Sequence, residues 1–194
     1  MSASEGFWAF SVRIYGKPDV PPACLDLQND YGLDVNLLLY CCWLGTHGVK
    51  LDAATLERAL AFANPWAEHV VRPLRQARTW MKRDGGARGQ LPPDAYTELR
   101  ESIKAIELEA ERLQQLALEL MTNPPTPGPA VENEAASCAS VNLELYVSEA
   151  GLTPDADMRM HLAKIINAST GVGPAQDAAQ LAAVSRSGER STDG

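Results

Sequence analysis

Residues Leu33 to Gly48 read LDVNLLLYCCWLGTHG, and the stretch from Leu37 to Leu44 is apolar without interruption. A run this short suits a buried strand or a buried helix, because periodicity cannot separate the two at that length. The flanks decide for helix. Asp34 can accept hydrogen bonds from the free N–H groups of a first turn, and Leu33 and Leu38 have the spacing of a hydrophobic staple. Gly45 and Gly48 read as the stop. A helix of roughly three turns that is apolar on every side must be covered on every side, so it is expected to be the core around which amphipathic helices pack.

On the N-terminal side, Glu5 to Tyr15 carries Phe7, Trp8, Phe10, Val12 and Ile14 at broadly helical spacing and ends at Gly16 and Pro18. Pro21 and Pro22 open a second helix with Cys24, Leu25 and Leu27, which Gly32 closes. On the C-terminal side, Asp52 reads as the N-cap of a fourth helix with Leu56, Leu60 and Ala63 on one face. That helix is expected to end near Asn64, where Asn64-Pro65 starts a fifth helix running to about Met81, with Pro73 as a kink or local break. GGARG, Gly85 to Gly89, reads as a loop.

The most regular signal lies between Pro93 and Met121. Tyr96, Leu99, Ile103, Ile106, Ala110, Leu113, Ala117 and Leu120 alternate spacings of three and four, a heptad seam that can pair within the fold or across a homodimer. The next segment, TNPPTPGPA from Thr122 to Ala130, leaves the helix and forms a semi-extended linker. The expected organisation is a helical domain over 1–121, a proline-rich linker over 122–134, and a weakly helical to disordered tail over 135–194. In that tail Thr153-Pro154-Asp155 is the best helix start, and residues after Thr122 are expected to be dispensable for folding. Strand and hairpin signals are scarce, so the class is all-α: a compact bundle of five to six helices around the central one.

With 194 residues, 45% of them hydrophobic, the chain can bury a core, and its formal charge of −8 argues against wrapping nucleic acid. The N-terminus MSASEGFWAF has no basic n-region followed by an apolar core, and no run of 18 apolar residues occurs, so neither secretion nor a membrane span is expected. The cytoplasm is the expected compartment, with Cys24, Cys41, Cys42 and Cys138 as thiols.

No catalytic signature, phosphate loop or dinucleotide fingerprint is present, so no catalytic residue and no cofactor are assigned. The cysteines and His47 lack metal-ligand spacing and read as core residues; Glu107 and Glu111 read as an exposed acidic pair beside Arg112. The most informative charges are Arg72, Arg75, Arg78 and Lys82, which fall on one side of helix five. They read either as a face that answers Glu98, Glu101 and Glu109 on the next helix, or as a docking site for an acidic protein partner or a phosphate-bearing ligand. The leading expectation is a non-catalytic interaction module using that basic face. The alternative is a ligand-binding or enzymatic helical domain with a polar pocket at Asp34, Asn36 and His47. Trp8, Trp43, Trp66 and Trp80 read as core aromatics with one edge to solvent.

FWAFSVRIYGKPDV, ACLDLQNDYGLDVNLLLYCCWLG, PWAEHVVRPLRQAR and IKAIELEAERLQQ, in that order, resemble a family of short, mainly proteobacterial proteins of unknown function, over about Glu5 to Leu120. The resemblance implies no activity. It does imply a poorly matched C-terminal region.

Overall fold

The computed structural model describes residues 5–83, 89–125 and 134–171, and among them there are helices and turns but no β-strand. The helices are α1 (Phe7–Tyr15), α2 (Val20–Tyr31), α3 (Val35–Thr46), α4 (Ala53–Trp66), α5 (Arg72–Arg83), α6 (Pro93–Thr122), α7 (Ala135–Glu149) and α8 (Ala156–Thr170); a π-helical turn, Ala67–Val71, joins α4 to α5. The class is all-α. Most of the GGARG loop, most of the proline-rich linker and the chain after residue 171 lie outside the described residues. The chain divides into two compact units, residues 1–5, 9–51 and 124–194 in one and residues 6–8 and 52–123 in the other.

The first unit is built on α3. No residue from Leu37 to Leu44 is more than 2% exposed, and α2, α7 and α8 pack against this helix. Asp34 caps it by accepting from the N–H of Asn36 at 2.7 Å and of Leu37 at 3.4 Å, while its own N–H donates to the Tyr146 hydroxyl at 2.9 Å. The helix does not stop at Gly45, as its sequence suggests. It continues to Thr46, and the chain turns away at Gly48, whose φ of 71° is left-handed. Gly45 matters for its lack of a side chain. A Cβ there would lie 2.5 Å from the backbone N of Ala139 and 2.7 Å from its Cα, so only glycine lets the two backbones approach this closely.

Next to this contact, Asn142 on α7 joins three backbone groups. Its Oδ1 accepts from the N–H of Leu51 at 2.7 Å, and its Nδ2 donates to the carbonyls of Cys41 at 3.1 Å and Val49 at 2.9 Å. With Gly45 against Ala139, Cys41 against Asn142 and Asp34 against Tyr146, α3 and α7 run antiparallel.

The expected weak tail after a boundary at residue 121 therefore needs correction over its described part. Residues 135–149 and 156–170 are two helices of 15 residues each, grouped in one unit with α3. Asp155 caps α8 by accepting from Met158 N–H at 2.8 Å, and Lys17 Nζ donates to the Ala168 carbonyl at 2.6 Å. The sequence signal is weak because the buried face of α7 opens with Ala135, Cys138, Ala139 and Asn142, ahead of Leu143, Tyr146 and Val147. Small and polar residues flatten the amphipathic pattern, yet they are what a closely approaching helix requires.

In the second unit α4, the π turn and α5 pack against α6. The expected break at Asn64-Pro65 does not occur; helix runs on through Pro65. Proline removes one ladder bond and crowds the carbonyl four residues back, a cost that tertiary contacts can outweigh. Here Trp66 stacks on Phe62 with centroids 6.0 Å apart and donates its Nε1–H to the Ala110 carbonyl at 3.0 Å, and Ala63, Ala67 and Val71 are buried. The ladder widens to a π turn just before Pro73, where a donor is missing. At the first turn of α6 the Tyr96 hydroxyl donates to the Met81 carbonyl at 2.8 Å, and at its last turn the Glu119 carboxylate accepts from the Phe7 N–H at 3.0 Å. Trp80 departs from the core reading and is 55% exposed.

Candidate functional site

Helix α5 runs antiparallel to α6, with Met81 against Tyr96 and Arg75 against Glu111, and its arginines reach across. Arg75 Nε donates to Glu107 Oε1 at 3.0 Å and its Nη2 to Glu111 Oε1 at 2.6 Å, while Arg78 engages both oxygens of Glu107, through Nε and through Nη2 at 3.1 Å. Glu107 is 5% exposed and holds two guanidiniums, so it is not half of an exposed acidic pair. Of the four candidate cations on α5, Arg75 and Arg78 are thus engaged by α6; the carboxylates they bond are Glu107 and Glu111, while of the expected Glu98, Glu101 and Glu109 it is Glu101 that acts on Arg78 through space. Arg72 and Lys82 are exposed. Lys82 borders a cavity of about 270 Å³ lined also by Met81, Tyr96, Thr97 and Arg100.

Burial pushes the Glu107 carboxyl up, but hydrogen bonds from Arg78 and Arg75 outweigh it and hold the group below its ordinary value of 4.5. A folded-state value below the unfolded one stabilises the fold above the ordinary carboxylate range and loses that contribution as pH falls through it. Glu107→Gln is therefore expected to lower stability at pH 7 by about 1 to 3 kcal/mol, less than a fully buried pair would cost because both guanidiniums reach solvent. Urea melts should show the gap between wild type and variant closing as pH drops below 4.5. A gap that stays constant with pH would mean that the ion cluster contributes nothing.

The residues expected to line a polar pocket are not all brought together. Asp34 and Asn36 meet at the first turn of α3, where the Asp34 carboxylate is occupied with capping. His47 stands at the other end of that helix, about 20 Å away at 1.5 Å per residue. There its ring lies 4.8 Å from that of Trp43, and Nδ1–H donates to the Trp43 carbonyl at 2.8 Å. Among the described residues no group of three or more metal-ligating side chains is assembled. Burial pushes the thiols of Cys24 and Cys42 up to about 12, as suits core residues.

The feature that sequence reasoning blurs is the outer face of α6. Of the heptad seam, Tyr96, Ile103, Ala110 and Ala117 are buried or half-buried, whereas Leu99, Ile106, Leu113 and Leu120 are 54%, 56%, 40% and 72% exposed. One column of the seam packs and the other faces water. The exposed column repeats every seven residues over about 32 Å of helix, with Leu116 beside it. Spacing reveals both columns; only a structure shows which of them finds a neighbour in the chain.

Fold and surface together define a helical protein with one helix buried from Asn36 to Gly45 and a long helix whose outer side carries an aliphatic column. The chain belongs to the DUF2390 family of proteins of unknown function, whose pattern matches residues 6–118. Helices α7 and α8 lie beyond the matched residues. No curated protein and no solved structure matches the chain. Among the described residues no helix is long and apolar enough to cross a membrane.

Proposed function

We propose that the protein is a non-catalytic interaction module whose docking surface is the outer face of α6. The observation that carries this reading is the exposed column Leu99, Ile106, Leu113 and Leu120. Aliphatic side chains scattered singly over a surface need no explanation, but aligned ones mark contact sites. A strict seven-residue repeat drifts around a straight helix and stays in line only along a left-handed supercoil, so the geometry suits a second helix laid along the column. The inner face of α6 is tied down by the Arg75 and Arg78 bonds to Glu107 and by Trp66 on Ala110, which leaves the outer face presented. The basic face of α5 is a weaker docking site, because two of its four cations already have partners within the unit.

The test uses a fluorescent synthetic amphipathic helix of about three heptads with leucine at both seam positions. Wild type is expected to bind it, and Ile106→Asp/Leu113→Asp to lose binding while melting within about 0.5 kcal/mol of wild type, as surface substitutions do. Equal binding by the variant, or loss of its fold, overturns the reading.

A further inference from the structure

We draw no further inference here: the strongest candidate, the aliphatic column Leu99, Ile106, Leu113 and Leu120 on the outer face of α6, belongs to the docking surface already described, and nothing in the structure shows whether a second copy of the chain or another molecule covers it.

Discussion

A chain ended at Asn123 will not keep the fold around α3. Removing α7 and α8 uncovers one whole side of a helix with no polar face to offer water, including Cys41 and Gly45, and takes away Asn142, which satisfies Leu51 N–H and the Cys41 and Val49 carbonyls. The groups that Asn142 held must turn to water, and each Å² of apolar surface newly exposed on α3 costs about 25 cal/mol. An ordinary domain has only about 5 to 15 kcal/mol of stability to lose. Circular dichroism should therefore lose more helix than the two 15-residue segments contribute themselves. A shortened chain that melts cooperatively and loses only that share would show that α3 is covered from elsewhere.

Gly45→Ala is expected to be strongly destabilising although it adds a single methyl group. In an unconstrained helix the change would stabilise by up to about 1 kcal/mol, because alanine is the better helix former. Here the new carbon would lie 2.5 Å from Ala139 N and 2.7 Å from both Ala139 Cα and Cβ. Two of those three atoms are backbone, so no side-chain rotation relieves the clash and α7 has to move. Overpacking of this kind costs about 1 to 3 kcal/mol and sometimes more, and the upper end is expected where a helix must shift. Pairing the change with Ala139→Gly removes one of the three clashing atoms and should restore only part of the loss in a denaturant melt. Complete rescue would locate the clash in the side chain alone, and an unchanged melt would mean that the helices are further apart.

Much of the architecture is legible in residues whose physics is local. Asp34, Asp52 and Asp155 cap helices as their sequence context implies, each with a carboxylate oxygen on a free N–H. The apolar run after Asp34 is buried all round because no other placement suits a helix without a polar side. Gly45 misleads because glycine serves both to end helices and to admit close neighbours, and the surrounding letters are the same in the two cases. The arginines of α5 can be placed on one face from spacing, but naming Glu107 and Glu111 as their partners requires the register of α5 against α6, which is a property of the turn between them. The outer column of α6 is visible as periodicity and invisible as exposure. Asn142 has no local signal, since its value comes from three partners more than 90 positions away in sequence.

The four cysteines, at 0–1% exposure on α2, α3 and α7, turn the fold into its own clock. A thiol reagent cannot reach a closed core, so alkylation in native buffer proceeds only through openings and its rate reports how often each helix comes away. Cys24, the Cys41-Cys42 pair and Cys138 fall in different stretches of the chain, so mass spectrometry of the fragments resolves which stretch opens first.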